Sequence, residues 1–359
     1  MNPIRKIGIL GFDDWFFIAN LMSIMKKNSE KITLIAPINF NISPKITKGY
    51  RILTFGNYHP GKLTQIIPCL VGILRILARE KFDLIHVPSN RPFWFFLIII
   101  FIRFYLRVKL AIFVHEPFRR EGDTSTGLSY NYPEVFCETQ FSNYLLFGGK
   151  AMLNDFKIKG RTSANLIECG LGVFSYLNEI YQEEKLRNPG QILFFGRIEK
   201  YKGLDVLIES LKYVHQKYQL IVAGKGQIRR TSALALLIRQ NKVKIFNDYI
   251  DDNFMYELFS TSGIVVVPYL TGTQSAVISN SFAFNTPVIA TKVGSIHEIV
   301  NDGKTGFIID PGDPEQLAER LNIILNNTKM QNDMAKNIEV ENQKINAKIK
   351  RVLQQIYFI

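Results

Sequence analysis

Short apolar runs alternate with helical segments along this chain, and no other feature of the sequence constrains its fold as strongly. In the second half, the runs predicted as strands are residues 191–197, 219–223, 243–246, 263–268, 287–291 and 306–309. Between the first two, residues 204–215 repeat apolar side chains at the spacing of one helix face. Strands that alternate with helices form parallel sheets covered on both faces. The pattern therefore predicts an α/β fold.

The first half shows the same alternation less clearly. Its predicted strands are residues 6–11, 32–37, 84–87 and 110–115, with a helix at 16–27. The polar stretch QEEKLRNPG at residues 182–190 breaks the alternation and is interpreted as a linker. Because 359 residues also favour two domains, we expect doubly wound domains at residues 1–180 and 191–340, joined by a linker at 181–190. Ligands of such folds bind beyond the carboxyl ends of the strands.

The positive charge of the chain is concentrated in its first part. Residues 1–109 contain 16 Lys and Arg against 5 Asp and Glu, out of a net charge of +13 for the whole chain. This region includes FWFFLIIIFIRFYL at residues 93–106, which is shorter than the roughly 20 residues of a membrane span. A buried helix is the first interpretation, a helix lying partly in a membrane interface the second, and a true span the least favoured. The charge predicts attraction to an anionic membrane surface.

Nucleic acid is a competing partner for a basic chain. These basic residues, however, are spread singly among apolar ones, and no nucleic-acid-binding signature is present, so we expect no nucleic acid. The first ten residues lack the apolar run of a signal peptide. Together these features predict a cytoplasmic protein that is peripheral on the inner face of the membrane.

Nothing in the sequence indicates a metal or a cofactor. Cys69, Cys137 and Cys169 are odd in number, widely spaced and without a ligand pattern, so we expect free thiols in a reducing compartment. The acidic pairs at residues 13–14 and 251–252 are interpreted as helix caps. The sequence GILGF lacks the spacing of a dinucleotide-binding loop. We therefore expect no metal and no cofactor.

Four motifs in the second half resemble, in order and in spacing, the donor-binding domain of family-4 retaining glycosyltransferases. They are RIEKYKG at 197–203, LIVAGKG at 220–226, NTPVIATKVG at 285–294 and EIVNDGKTG at 298–306. The resemblance covers residues 190–330, is weaker over 1–180 and returns in the final helix. It implies the GT-B architecture, in which two Rossmann-like domains face each other. The first would bind the acceptor and the second the nucleotide sugar, with residues 341–359 crossing back to the first domain and no metal required.

Three residues are predicted to act at the reaction centre. A nucleotide-diphosphate leaving group gains negative charge as the glycosidic bond breaks, so its site needs fixed positive charge. Arg197 follows a predicted strand and Lys202 precedes a helix, and the resemblance implies that both grip the diphosphate. Solvated surface cations are the alternative. His115, at a strand end, is similar to a histidine that lines the donor-sugar pocket in the family, with a structural histidine as the alternative.

The segment TGTQS at residues 271–275 precedes a helix that is predicted to begin near Gln274. A helix start presents free N–H groups and a partial positive charge, which suit a phosphate. Thr273, Gln274 and Ser275 are therefore predicted to bind the donor. Plain capping of the helix is compatible with this interpretation and does not discriminate against it.

Three glycines and two arginines complete the predicted site. Gly224 and Gly226 lie in a turn after a strand, where the lack of a Cβ atom would let the backbone approach a nucleobase. Gly11 matches a glycine-containing loop that lies near the diphosphate and acceptor in the family. Arg119 and Arg120 are candidates for binding an acceptor phosphate, and a solvated loop is an equal alternative.

The chain departs from the family in the helix after TGTQS. Most relatives carry two Glu residues there, separated by seven positions, where this chain has Gly272 and Asn280. Asn280 can exchange hydrogen bonds with ribose hydroxyls because its amide both donates and accepts, whereas Gly272 offers only backbone to a sugar. We expect an altered mode of donor binding rather than an inactive enzyme.

These features predict a metal-independent transferase that moves a hexose-type unit, with retention, from a nucleotide-diphosphate sugar. The expected acceptor is a lipid-linked or growing cell-surface polysaccharide such as lipopolysaccharide. No protein nucleophile is expected, because the resemblance implies front-face attack in which the departing phosphate takes the acceptor proton. A non-catalytic scaffold of the same fold is the alternative, and a basic nucleic-acid-binding protein is a less favoured one.

Overall fold

The computed structural model describes residues 6–12, 15–40, 42–59, 61–88, 92–115, 132–181 and 185–358, without the side chains of 132–135, 178 and 179. By its internal contacts the chain divides into two compact units. One unit comprises Met1–Gly172 together with Asn346–Ile359, and the other comprises Val173–Ile345. The division after Gly172 lies earlier in the chain than the linker predicted at residues 181–190.

The first unit contains one parallel sheet of seven strands. The strands are β1 (Ile7–Leu10), β2 (Ile32–Pro37), β3 (Arg51–Phe55), β4 (Leu84–Val87), β5 (Lys109–Val114), β6 (Tyr144–Phe147) and β7 (Asn165–Glu168). Their order in the sheet is β3-β2-β1-β4-β5-β6-β7. The four strands predicted from apolar runs are present. The sequence did not indicate β3, β6 and β7. Of these, β3 and β7 lie at the two edges of the sheet, where few of their side chains are buried.

Before residue 172, the described part of the first unit has six α-helices beside this sheet, and α4 continues into a π-helical segment, Phe101–Leu106. They are α1 (Trp15–Met25), α2 (Pro44–Thr47), α3 (Ile66–Glu80), α4 (Phe96–Ile100), α5 (Tyr132–Phe141) and α6 (Lys150–Lys159). The apolar segment at 93–106 forms α4 with its flanking turns, and Trp94, Phe95 and Ile98 are buried in the core. The first interpretation, a core helix, is therefore confirmed. Within the described part of the chain, no helix is both long enough and apolar enough to cross a membrane.

The second unit contains a parallel sheet of six strands. The strands are β8 (Asn188–Phe195), β9 (Gln219–Ala223), β10 (Val243–Phe246), β11 (Ser262–Val267), β12 (Val288–Thr291) and β13 (Gly306–Ile309). Their order is β10-β9-β8-β11-β12-β13, and all six were predicted. β8 begins inside the stretch predicted as linker because the backbone of Asn188 pairs with Ser262 of β11. This pairing overrides the low strand propensity of Pro and Gly at residues 189 and 190.

The helices of the second unit follow the predicted pattern with small shifts. They are α7 (Tyr176–Ile180), α8 (Leu204–Ser210), α9 (Ser232–Arg239), α10 (Asp252–Thr261), α11 (Ala276–Ala283) and α12 (Pro314–Ile324). Asp313 caps α12, since its carboxylate accepts from the Gln316 backbone N–H at 2.9 Å. α11 begins at Ala276 rather than near Gln274, because Ser275 has extended backbone angles.

A thirty-residue helix, α13 (Thr328–Tyr357), contributes to both units. Its last part, from Asn346, packs in the first unit, where Tyr357 is buried and hydrogen-bonds Nδ1 of His86 in β4. Lys348 also forms a 2.6 Å ion pair with Glu168 of β7. The prediction that the final helix returns to the first domain is confirmed, with the change of unit at Asn346 rather than at residue 341.

Candidate functional site

Loops that follow β8, β9, β11 and β12 meet at the carboxyl edge of the second sheet. Gly196 comes directly after β8 and has a φ of +102°, a conformation that favours glycine. A Cβ atom at Gly196 would lie 2.8 Å from Nζ of Lys202. Glycine is therefore favoured at this position by its backbone conformation, and the Lys202 ammonium group lies close to it.

Lys202 is the buried cation of this edge. It ends a short 3-10 turn, Lys200–Lys202, and its residue is only 8% exposed. Its Nζ atom lies 5.2 Å from the centroid of the Tyr269 ring. Among the residues that the structure describes, the ammonium group has neither a carboxylate partner nor a side-chain hydrogen bond. Because a buried charge is costly without a counter-charge, this arrangement favours an anionic ligand.

Tyr269 connects three elements of the site and is not among the residues predicted from the sequence. It is buried just after β11, and its backbone carbonyl accepts from the Thr291 hydroxyl at the end of β12 at 2.7 Å. Its phenol oxygen accepts from the Ser275 hydroxyl at 3.4 Å. The only sequence signal was its position directly after the buried run GIVVVP. Tyr269 therefore links the strand ends to the start of α11.

The start of α11 carries the three predicted donor-binding residues. The carbonyl of Thr273 accepts from the Ser295 backbone N–H at 2.8 Å, which fixes the loop before the helix. Gln274 follows, and Ser275 occupies the N-cap position. The Ser275 side chain makes no capping hydrogen bond and instead donates to Tyr269. The plain capping interpretation is therefore wrong for the Ser275 hydroxyl, and the first-turn N–H groups are not capped by it.

The surroundings of Gly272 show what a side chain would contact at this position, where most relatives carry Glu. A Cβ atom at Gly272 would lie 2.9 Å from Cδ1 of Ile296 and 3.4 Å from the Tyr269 ring. The Gly272 carbonyl also lies against Gly294, whose φ is +49° and whose Cβ atom would approach that oxygen to 2.1 Å. Any side chain at position 272 would therefore start against Ile296 and Tyr269.

Asn280, predicted to contact a ribose, points into the protein. It is buried on α11, and its Nδ2 atom lies 3.6 Å from the sulfur of Met255 on α10. Its Oδ1 atom has no hydrogen-bond partner among the described residues. Contact with a ribose stays a prediction, and it would require this side chain to turn away from α10.

The structure explains the presence of glycine at residues 224 and 226 in a way that the sequence did not reveal. Their φ values are +140° and +159°. A Cβ atom on Gly224 would lie 2.1 Å from the carbonyl oxygen of Gly196, and one on Gly226 would lie 2.1 Å from that of Ile198. Asn247 holds Gly226 on both sides, accepting from its N–H at 2.9 Å and donating to its carbonyl at 3.1 Å. These glycines let two strand-end loops pack together, and the nucleobase contact stays a prediction.

Arg197 differs from Lys202 in its environment. Its side chain is 70% exposed and forms a 3.1 Å ion pair with Glu199. The alternative interpretation as a solvated surface cation matches the position of Arg197 but not that of Lys202. The structure thus places only one of the two predicted diphosphate-binding cations inside the buried cluster with Tyr269.

The remaining predicted residues belong to the first unit. His115 directly follows β5, and its Nε2 atom donates to the carbonyl of Pro88 at 3.0 Å, so it lies at the carboxyl end of a strand as predicted. Gly11 follows β1, and its N–H donates to a neighbouring strand. Arg119 and Arg120 lie outside the described residues, as do residues 13–14.

The sequence predicted no metal site, and the structure shows the environments of the acidic pair at residues 251–252 and of the three cysteines. Asp251 caps α10 by accepting from the Phe254 backbone N–H at 3.0 Å, as predicted, and burial followed by the Asp251 charge raises the pKa of Asp252. The three cysteines are buried free thiols, and burial raises the pKa of Cys169 to about 12. Within the described ranges, no group of three or more His, Cys, Asp or Glu is placed to hold a metal ion.

Comparison with known sequences identifies the second unit. Residues 178–340 match the family model of the glycosyl transferases group 1. The D-inositol 3-phosphate glycosyltransferase of Xylanimonas cellulosilytica is 29% identical over 139 residues, which cover 37% of this chain and 33% of that protein. CapM of Staphylococcus aureus, a capsular polysaccharide biosynthesis glycosyltransferase, is 26% identical over 219 residues, or 56% of each chain. The chain thus spans between a third and somewhat over half of the length of these curated relatives.

Comparison with known structures extends to both units. The Anabaena protein HepE, solved in complex with UDP and glucose, superposes with a TM-score of 0.69 at 18% identity, covering 99% of this chain and 100% of that one. The two parallel sheets with their helices are therefore the GT-B fold of glycosyltransferases. Within that fold, residues 178–340 match the glycosyl transferases group 1 model, and the resemblance seen in the four motifs is confirmed.

Proposed function

We propose that this protein is a glycosyltransferase that takes a sugar from a nucleotide-diphosphate donor bound at the carboxyl edge of the second sheet. The observation that carries the proposal is Lys202, a largely buried residue whose ammonium group has no carboxylate partner among the described residues. The family match of the second unit and the UDP complex of the structurally similar HepE support a nucleotide sugar as donor.

Lys202 stabilises the diphosphate as it departs. The charge on the leaving group grows in the transition state, and a donor fixed in advance lowers the barrier more than one that must reorganise. The Tyr269 ring holds the ammonium group without neutralising it, since an aromatic face attracts a cation but carries no net charge. The first-turn N–H groups of α11 add a partial positive charge on a second side of the phosphate.

Arg197 joins the diphosphate only when the donor is bound. Its present partner is Glu199, in an ion pair that is largely exposed. Exposed ion pairs contribute only about 0 to 1 kcal/mol, so a doubly charged diphosphate can displace Glu199 from the guanidinium group. Arg197 then offers the two parallel N–H donors that suit phosphate oxygens.

The chemical course follows from the same resemblance. Retention without a protein nucleophile needs the acceptor hydroxyl to attack from the side of the leaving group, and the departing phosphate then takes the hydroxyl proton. Lys202 and the helix start carry the phosphate charge in this scheme, without a metal ion. Position 272, where most relatives have Glu, offers only backbone, so the donor sugar is held by other groups.

The acceptor is a lipid-linked or growing polysaccharide, and the protein acts at the inner face of the membrane. The similarity to CapM, named for capsular polysaccharide biosynthesis, supports the polysaccharide. His115 stays a predicted contact of the donor sugar. Arg119 and Arg120, which lie outside the described residues, stay candidates for binding an acceptor phosphate.

Thermal unfolding in the presence of UDP, GDP and ADP tests the donor site. A nucleotide at 100 times its dissociation constant adds about 2.7 kcal/mol of stability, and we expect this from one of the three. Lys202→Met should remove most of that gain, whereas Lys212→Met, at an exposed lysine paired with Glu209, should retain it. Equal stabilisation of both variants, or none for the unchanged protein, would reject the site.

Turnover separates the enzyme from a scaffold of the same fold. An active protein should hydrolyse or transfer the sugar of the donor that matches the stabilising nucleotide, and the anomeric configuration of the product reports retention. Saturable heat on titration with the nucleotide diphosphate, but no release of it from any sugar donor, would favour a scaffold that binds without transfer.

A further inference from the structure

The outer side of α3 in the first unit is apolar and exposed. Ile67 is 73% exposed, Leu63 in the preceding turn is 68% exposed, and Val71 also reaches the surface. Ile67, Val71 and Arg75 recur every fourth residue and share one helix face. The opposite face supplies Cys69, Ile73 and Leu77 to the core. A helix that is apolar on both sides is unusual where one side meets only water.

The next helix along the same side of the sheet shows a similar surface. The π-helical segment that follows α4 packs beside α3. Its Phe104 is 61% exposed and Tyr105 is 74% exposed, while Leu97 and Ile100 of α4 are partly open. We call the exposed residues of α3, of the turn before it, and of α4 with its π-helical continuation the outer helical face.

The charges on the outer helical face are basic. Its exposed charged residues are Lys62, Arg75, Arg79, Arg103 and Arg107. Glu80, the acidic residue at the end of α3, is hydrogen-bonded by Lys6 and by Arg51. Nη2 of Arg51 lies 2.9 Å from Oε1 of Glu80. These hydrogen bonds lower the pKa of Glu80. The described part of the face therefore joins apolar side chains to unneutralised positive charge.

We propose that the outer helical face docks on the surface of an anionic lipid bilayer. Leu63, Ile67 and Phe104 would enter the boundary between headgroups and acyl chains, and the arginines would lie at lipid phosphates. Amphipathic helices bind membranes by this combination of apolar burial and attraction to anionic lipid. Ile67 and Val71 of α3 extend the face beyond the 93–106 segment that the sequence singled out, and much of that segment fills the core.

The charge also argues against a second copy as the occupant. A symmetric dimer would bring the same basic surface of each copy together, and like charges in contact oppose association. Nucleic acid would use the arginines but leave Ile67 and Phe104 in water. The outer helical face belongs to the first unit and the strand-end site to the second, so the docking proposal does not rest on donor binding.

Flotation with vesicles tests the docking face in the full chain. The probes are phosphatidylcholine vesicles with and without phosphatidylglycerol, at low and at high salt. We expect the protein to float with the anionic vesicles and to be released by salt, which screens the arginines. Ile67→Ser with Val71→Ser should lower the partition coefficient by about tenfold or more, since each removes an aliphatic side chain from the lipid.

Matched variants make the result specific. Ile158 on α6 of the same unit is 82% exposed, and Ile158→Ser should leave flotation unchanged. Arg75→Gln with Arg79→Gln should weaken binding and its salt dependence, whereas Arg239→Gln on α9 should not. Thermal unfolding checks that each variant is folded. Failure of the unchanged protein to float, or equal loss in Ile158→Ser, overturns the proposal.

Two other outcomes would assign the face to a different partner and also overturn docking on lipid. One is concentration-dependent dimerisation in analytical ultracentrifugation that Ile67→Ser abolishes, without vesicle binding. The other is a salt-sensitive shift of duplex DNA that needs Arg75 and Arg79, again without vesicle binding. Nucleotide binding measured on the same variants keeps this test separate from the donor site, because failure of one leaves the other intact.

Discussion

The ammonium group of Lys202 lies 5.2 Å from the centroid of the Tyr269 ring, and both residues are buried. A carboxylate in the place of this ring would form an ion pair and cancel the charge. The aromatic face instead holds the cation while leaving its charge available to a ligand. This relationship leads to the first two predictions.

Lys202→Met should raise the stability of the ligand-free protein or leave it unchanged. Replacing a buried charge by an apolar side chain of similar length removes its desolvation cost, and such replacements are often neutral or stabilising by about 1 to 4 kcal/mol. Chemical denaturation without nucleotide measures the change. A clear loss of stability would show that the ammonium group has a structural partner, contrary to the proposal.

Tyr269→Leu and Tyr269→Phe should separate the ring from the hydroxyl. Loss of the ring removes a desolvated cation–π contact of about 2 kcal/mol, so kcat/KM with the donor should fall roughly thirtyfold in the Leu variant. The Phe variant loses only the long hydrogen bond from Ser275, and its kcat/KM should fall by less than tenfold, in line with the roughly 0.5 to 1.5 kcal/mol of an ordinary hydrogen bond. Equal losses of kcat/KM in the two variants would show that the Tyr269 ring does not contribute.

Arg197 and Glu199 should respond in opposite directions. Arg197→Ala should lower kcat/KM by less than the roughly hundredfold to thousandfold loss seen when a preorganised donor is removed, because its guanidinium group must first leave Glu199. Glu199→Gln frees the guanidinium group and should lower the KM for the donor modestly, because the pair it breaks is exposed. Steady-state kinetics on both variants checks this. Unchanged turnover in Arg197→Ala would leave the diphosphate to Lys202 alone.

Gly272→Glu should destabilise the protein rather than restore the pattern of its relatives. The new side chain would begin 2.9 Å from Cδ1 of Ile296, and overpacking of this kind costs about 1 to 3 kcal/mol. Adding Ile296→Ala should recover part of the loss by making room. A single variant as stable as the unchanged protein, measured by urea unfolding, would show that Ile296 yields without cost.

His86 should make the protein sensitive to acid. Burial lowers its pKa to about 3, below the value of about 6.5 for an exposed histidine. Between these values the unfolded chain binds a proton that the folded protein does not, so stability falls as the pH is lowered from about 6.5, by up to 1.4 kcal/mol per pH unit. His86→Gln should flatten this slope between pH 6.5 and 5, whereas His215→Gln, at an exposed position, should not. Equal slopes in the two variants would contradict the assignment.

The sequence predicted the second sheet well because most of its strands are short runs of buried apolar side chains. β3 was not predicted because this edge strand exposes most of its side chains and so lacks an apolar signature. Residues 188–190 were interpreted as linker because Asn, Pro and Gly disfavour strands, and only pairing with β11 reveals their conformation.

The candidate site was predictable only where the chain carries motifs. The motif RIEKYKG was enough to predict Lys202 as a site residue. Its burial, however, depends on the loop after β11, which is distant in sequence. Tyr269 and Asn247 act through contacts with residues on other strands, and no local pattern marks them. Gly224 and Gly226 were predicted only as a close approach to a nucleobase, because the carbonyls that exclude a Cβ atom at these positions belong to the loop after β8.

Tyr357 lies in the core beneath β4, although residues 173–345 of the second unit separate it from most of the first. During synthesis, the ribosome must therefore complete the whole second unit before the first can close its core. The usual order, in which the N-terminal domain folds first, cannot be completed here until α13 has been synthesised. Until then, the first unit lacks the side chain of Tyr357 that contacts His86 of β4.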